Sequence, residues 1–335
     1  MKAIVVRTHG GPQALELTEL PLPEPGPGQV RVRAHAIGVG RPDVLIRQGS
    51  YKWMPPMPAI PGNEVAGVVE ALGPGVQAAT LGDRVLFSAR ELPQRGGGYA
   101  EYVCAPAEAM YALPDHLGFD DAVSLPNFQL AQALLFGCGS ARPVRSVLIT
   151  AAAGGVASAM VQTARARQLQ VVATASTLAK REYALRQGAA SVLDPAAPDL
   201  ASQVKSLTGG RGVDLALDPS GGALFIACLH ALAPLGLAVS YNILAGMPPD
   251  VFAVLRQLLG RSLAVRTFSM HTFDADVDTR RGLMQQAIEL MASGAVQAPP
   301  ATVMPLTEAR RAHELLDDSS FTGKLVLHPR RRPWS

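Results

Sequence analysis

The spacing with the most chemistry in it is the pair Gly154 and Gly155, set between the short apolar run 147–150 and the small and apolar stretch 156–166. A strand, a tight glycine turn and a helix let the backbone approach a pyrophosphate, whose charge is favoured at the helix N-terminus. Ala153 and Val156 flank the turn, and Ala157 takes the third small position that packs helix on strand. A second apolar run, 171–175, ends in Ala175-Ser-Thr177 and leads to Lys180 and Arg181. A dinucleotide with free ribose hydroxyls asks for Asp or Glu at that strand end. The hydroxyls of Ser176 and Thr177 with the cations of Lys180 and Arg181 suit a 2′-phosphate instead. Two cations at a helix start oppose the helix dipole, which favours a bound anion there. The expected cofactor is NADPH.

These residues need a frame to hold them. Runs 147–150, 171–175, 190–193, 213–217, 236–240 and 263–268 read as strands, with helical stretches at 156–166, 180–188, 200–207 and 224–232 between them. Alternation at this pitch predicts a doubly wound parallel α/β domain. Before residue 120 the pattern differs: 2–6, 15–19, 29–38, 64–72, 83–87 and 98–105 are short strands punctuated by Gly and Pro, expected to form a compact, largely antiparallel domain. In 29–38, Val30 and Val32 alternate with Gln29, Arg31 and Arg33, which predicts one polar face. Near the C-terminus, 279–293 reads as an amphipathic helix, 305–316 as a helix entered through Thr307, and 323–327 as a closing strand.

At 335 residues the chain suits two domains, and its 48% hydrophobic and 17% charged content is that of a globular protein. A net charge of +3 is too mild for nucleic-acid binding, and the Arg330–Arg332 cluster reads as a solvated tail. Cys104, Cys138 and Cys228 form no CxxC pair and no even framework, which fits a reducing compartment. No run is long enough to cross a membrane and the N-terminus does not read as a signal peptide, so the expected location is cytoplasmic.

Five ordered motifs carry a family resemblance: Gly10-Gly-Pro12; Pro61-Gly-Asn-Glu-Val-Ala-Gly67; Gly82-Asp-Arg-Val85 with Gly97-Gly-Tyr-Ala-Glu-Tyr102; Ala151-Ala-Ala-Gly-Gly-Val156; and Gly323-Lys-Leu-Val-Leu327. Together they resemble the medium-chain dehydrogenase/reductase superfamily, and within it the zinc-free quinone oxidoreductase (zeta-crystallin-like) branch. The resemblance implies a GroES-like β-barrel catalytic domain over 1–122, a Rossmann domain over 123–269, and a return to the catalytic domain over 270–335. It also bears on metal. Zinc alcohol dehydrogenases of this superfamily carry Cys and His where this chain has Gly40 and Asn63, neither a usual zinc ligand. No cysteine lies in 88–97, where a structural zinc lobe would stand, so no metal site is expected. His35, His230 and His313 are isolated and read as structural or solvated.

Without metal or flavin, hydride has to pass directly from the nicotinamide to an acceptor that is already electrophilic, a quinone or an activated alkene. The acceptor pocket is expected at Gly40, Arg41, Leu45, Tyr51 and Asn63. Gly40 and Leu45 replace the Asn and Tyr common in the family, and Arg41 opens the option of an anionic substrate. Asp43, Glu64 and Asp83 read as structural acids. Further cofactor contacts are expected at Asn127, Ser220, Tyr241, Asn242, Phe268, Ser269 and Lys324. The leading expectation is an NADPH-dependent quinone reductase, homodimeric through its last Rossmann strands. The alternatives are an enone or acrylate-type (enoyl) reductase and a non-catalytic NADPH-binding protein.

Overall fold

A computed structural model describes residues 1–318 and 321–329; the Arg330–Arg332 cluster lies outside the described residues. The chain forms two compact units, residues 1–126 with 298–335 and residues 127–297. In the first, β1 (Lys2–Val6) and β2 (Leu15–Glu19) make an antiparallel ribbon. Then come β3 (Gln29–Val39), α1 (Arg41–Gln48), β4 (Glu64–Leu72), β5 (Arg84–Ser88), β6 (Tyr102–Pro106), β7 (Met110–Ala112) and the short α2 (Phe119–Ala122).

The strand β3 organises this unit. It pairs with β4 along most of its length and with β6 at its start. Its burial follows the predicted alternation: Val30, Val32, Ala34 and Ala36 are buried, while Gln29, Arg33 and His35 on the other face are part-exposed. Arg31 is buried, its guanidinium bonded to the Pro23 carbonyl at 3.0 Å and to Glu24 at 3.1 Å. Where β3 crosses β4, a Cβ on Gly67 would overlap the Arg33 carbonyl oxygen, so only glycine lets the two backbones meet. Residues 98–101, expected to be strand, instead run as a loop whose Gly98 and Tyr99 amides bond back to Gly62 and Pro61.

The second unit begins within α3 (Leu125–Phe136) and holds β8 (Ser146–Ile149), α4 (Gly155–Ala166), β9 (Gln170–Thr174), α5 (Leu178–Gln187), β10 (Ser191–Leu193), α6 (Leu200–Leu207), β11 (Val213–Asp218), α7 (Gly222–Ala231), β12 (Leu232–Ser240), α8 (Val251–Gln257), β13 (Ala264–Thr267) and α9 (Val277–Ala292). Its strands are all parallel in the order β10-β9-β8-β11-β12-β13, so chain direction across the sheet reverses between β8 and β11. Ligands bind in such sheets beyond the carboxyl ends, at that reversal. The central strands β8, β9, β11 and β12 are largely buried, which is why they read as unbroken apolar runs.

The second crossing between units falls at 297/298, later than the expected 269/270. Packing explains the shift: Leu283 of α9 packs with Ala133 and Met270, and Gln129 of α3 bonds the Arg280 carbonyl at 2.9 Å. Beyond it, β14 (Ala301–Pro305), α10 (Ala309–Asp317) and β15 (Lys324–His328) rejoin the first unit. The expected helix from 305 is in fact a 3₁₀ turn (Leu306–Glu308) followed by α10, and β14 carries no alternation that marks it as a strand. It lies parallel to β15, which pairs antiparallel with β3.

Gly67→Ala is expected to lower unfolding stability by about 2–3 kcal/mol through backbone displacement at the β3–β4 crossing, read as a lower urea midpoint at unchanged slope.

Candidate functional site

In the second unit, the carboxyl edge of the sheet gathers most of the residues expected to contact a cofactor. Ala153, Gly154, Gly155 and Val156 follow β8; Ser176, Thr177, Lys180 and Arg181 follow β9; Ser220 follows β11; Tyr241 and Asn242 follow β12; Phe268 and Ser269 follow β13. Gly154 caps α4 without any side-chain bond, and no acid lies in the first turn. The amide groups there are those a helix start leaves for a ligand or water. A Cβ on Gly155 would stand 2.9 Å from Asn127 Nδ2, so the bare glycine lets the Asn127 amide lie against the turn.

At the end of β9 the Thr177 hydroxyl caps α5 by accepting from the Lys180 amide at 3.3 Å. Ser176 and Thr177 are exposed. Arg181 is held on two sides: its Nε donates to the Ala175 carbonyl at 2.9 Å and its terminal nitrogen meets Asp194 at 2.6 Å. Asp218, which sequence reasoning passed over, lies buried at the end of β11, where it accepts from Thr150 and from the Gly221 amide. Burial raises its carboxyl pKa, and burial together with Asp218 raises that of the Tyr241 hydroxyl. Ser269 is a helix cap, accepting from His271 N at 3.3 Å, and Phe268 packs on Phe273.

In the first unit, Gly40, Asp43, Gly62 and Asn63 form one knot. Asp43 is buried and accepts from three donors: Gly40 N at 2.8 Å, Gly62 N at 2.9 Å and Asn63 Nδ2 at 2.6 Å. Burial outweighs these bonds, and the Glu64 charge adds to it, so the carboxyl pKa rises to about 6. Glu64 in turn pairs with Lys324, and both ends of that bridge are shielded from solvent. The ammonium placed among the expected cofactor contacts thus sits inside the first unit on a carboxylate.

Tyr51 stacks edge-on to Trp53, 5.7 Å between centroids, and its pKa is raised by burial against the pull of Arg95 and Arg90. Arg95 is buried and donates to the Ala89 and Arg90 carbonyls, so it fixes the 88–97 loop. Arg41 reaches Asp317 at 3.4 Å and is half exposed. Its carboxylate partner is therefore already in the chain. Leu45 lies on α1, one turn after Arg41. Among the described residues, no three His, Cys, Asp or Glu side chains group as a metal site.

A buried chain behind this knot was invisible in sequence. Arg47 meets Asp317 at 2.9 Å and His313 Nδ1 at 3.3 Å, and His313 Nε2 meets the Tyr99 hydroxyl at 3.0 Å. Burial first, then Arg47, lowers the His313 pKa to about 3, so the imidazole is neutral. Arginine only donates, so Nδ1 accepts and Nε2–H donates to Tyr99. The partners of His313 are over two hundred residues away in sequence, and no local signal marks them.

Known proteins resemble this chain in sequence and in fold. Family models for an alcohol dehydrogenase GroES-like domain and a zinc-binding dehydrogenase match residues 26–115 and 187–327. Quinone oxidoreductase of Rattus norvegicus is 32% identical over 338 residues, covering 98% of this chain and 97% of its own. The synaptic vesicle membrane protein VAT-1 homolog of Mus musculus is 31% identical over 307 residues, 87% of this chain and 74% of its own. Among solved structures, Escherichia coli quinone oxidoreductase complexed with NADPH superposes with a TM-score of 0.86 at 30% identity, covering 98% of this chain and all of that one.

Two outcomes follow from the site geometry. Gly155→Val, which drives a side chain into Asn127, is expected to weaken dinucleotide binding at least about tenfold in a fluorescence titration, with little change in melting temperature. His313 binds a proton readily only when unfolded, so its contribution to stability is complete above about pH 6.5 and is lost as pH falls toward 3. By about pH 4 the loss is on the order of 3 kcal/mol. Asp43 acts oppositely, its raised pKa adding stability as pH falls below 6, and cancels when two proteins are compared. His313→Gln is expected to lose less stability than the parent between pH 7 and 4 in denaturant melts.

Proposed function

The chain belongs to the zinc-independent quinone oxidoreductase family of the medium-chain dehydrogenase/reductases, and from that premise we propose that it is an NADPH-dependent reductase of quinones. The glycine turn Ala153–Val156 under Asn127, at the reversal point of the parallel sheet, carries the reading. Dinucleotide fit is supported by the uncapped start of α4, and preference for the 2′-phosphate by Ser176, Thr177 and Lys180 with no acid at the end of β9. Arg181, shared with Asp194, holds the α5 start in place beside Lys180. The named complex of the E. coli relative with NADPH supports the same choice. Lys324 supports the site indirectly, by neutralising Glu64 beside Asp43 and Asn63.

When bound, NADPH supplies a hydride from C4 of its dihydronicotinamide. The protein's own work is to hold the acceptor and exclude water. Tyr51 and Trp53 offer aromatic faces for a flat ring, and Asn63 a polar donor. Arg41, drawn to Asp317, gives little support to a substrate anchored by a carboxylate, which favours quinones over acrylate-type alkenes.

We extend the proposal to a homodimer. All four residues of the edge strand β13 are exposed, and Leu244, Met247, Phe252 and Leu259 leave large apolar side chains in solvent nearby in sequence. No helix of the described residues is long and apolar enough to cross a membrane, and the three cysteines are unbridged, which supports a reducing, cytoplasmic location.

Incubation with NADPH or NADH and a panel of ortho- and para-quinones, enones and acrylates tests the reading by loss of reduced-nicotinamide absorbance. Turnover of quinones with NADPH is expected, and Lys180→Ala should raise KM for NADPH about tenfold while leaving that for NADH unchanged. Tight NADPH binding with no turnover across the panel would return the protein to a binding role. Light scattering should give a dimer mass for the parent and a monomer for Phe252→Asp.

A further inference from the structure

The Asn63 amide can be assigned an orientation. Its Nδ2 lies 2.6 Å from an Asp43 oxygen, and its Oδ1 lies 3.3 Å from the Gly96 amide nitrogen. An ionised carboxylate only accepts and a backbone N–H only donates, so the amide cannot be reversed without breaking both contacts. One of its two N–H groups goes to Asp43, which leaves the second to point elsewhere. Asn63 is only part-buried, unlike Asp43.

Asp43 is held in turn. Gly40 and Gly62 donate to its two oxygens, and Tyr99 faces it, hydrogen bonding and charge from Asp43 both acting on the tyrosine hydroxyl. Behind Tyr99 the donors run one way: Arg47 to His313, His313 to Tyr99, Tyr99 toward Asp43. At the far end of the chain Arg47 also donates to Asp317, which takes Arg41 as well.

We infer that Asn63 donates its second N–H to the acceptor oxygen on which negative charge develops, and that Asp43, braced by Tyr99, His313 and Arg47, is the positioning residue that aims it. This deepens the hydride-transfer reading above and rests on it. In the step, the acceptor gains hydride with its electron pair as the C4–H bond of the dihydronicotinamide breaks. The acceptor's conjugated carbonyl is reduced, the cofactor is oxidised to NADP⁺, and the oxygen carries the new charge until a proton from water neutralises it. A preorganised donor aimed at developing charge is worth more than one that has to reorient.

The orientation depends on Asp43 being ionised. The groups facing that carboxyl are Gly40 N–H on its own helix, Gly62 N–H, Asn63 and Glu64 at the head of β4, Tyr51, and Tyr99. With its pKa near 6, kcat should fall on the acid side with a midpoint close to that value. A proton on Oδ1, which accepts from both Gly62 and Asn63, weakens the hold on the Asn63 amide.

The test uses the full-length protein. Asn63→Ala is expected to lower kcat for quinone reduction about 100-fold with KM within about twofold, and Asn63→Ser, which restores a donor, to recover about tenfold of it. Tyr99→Phe, which removes a single hydroxyl, should shift the acid midpoint, and Asp43→Asn should abolish it. Independently of turnover, 4-nitrophenol bound to the NADP⁺ complex should ionise at least about one pH unit lower than in water, read by its absorbance, and lose that shift in Asn63→Ala. An Asn63→Ala protein with kcat unchanged, or a bound phenol with unshifted ionisation, overturns the inference. If no quinone is reduced by the parent protein, the function reading fails, while the phenol titration still decides the role of Asn63.

Discussion

A single buried carboxylate ties the first unit together at its most chemical point. Asp43 sits on the first turn of α1 and takes hydrogen from α1's own cap residue and from two residues that lead into β4. Without it, the helix start and the head of β4 would each leave polar groups facing apolar surroundings, a cost of about 1–3 kcal/mol apiece. The relatives with zinc place metal ligands at the positions of Gly40 and Asn63. Here hydrogen bonds to Asp43 join the same two positions.

Much of this was readable in the chain. The second unit announced itself because buried parallel strands become unbroken apolar runs, and because the Gly154-Gly155 pair follows one of them directly. Lys324 is among the expected cofactor contacts; its pairing with Glu64 depends on β15 lying beside β3 and β3 beside β4, a relation between residues 260 apart. The end of the second unit was placed too early for a related reason. The strand 264–267 closes the sheet, but α9 after it still buries its apolar face, through Leu283, in the same unit.

The histidine offers the sharpest contrast between sequence and fold. Seen alone, His313 is one imidazole in a polar helix, and reading it as structural or solvated was all the sequence allowed. Folded, it has no exposed surface and a defined tautomer, set by an arginine on a different helix. Tertiary neighbours decide protonation; sequence neighbours do not.

The edge strand β13 has a consequence during synthesis. Its four residues are exposed, it has a sheet neighbour on one side only, and it lies close in sequence to Phe252 and Leu259. A nascent chain that has closed its parallel sheet carries at β13 an open edge on which other chains can stack. Arg266, in the middle of that strand, puts a positive charge where such stacking would begin and acts as a gatekeeper against it. A neutral residue at that position should leave the mature protein intact while lowering the yield of chains that reach it.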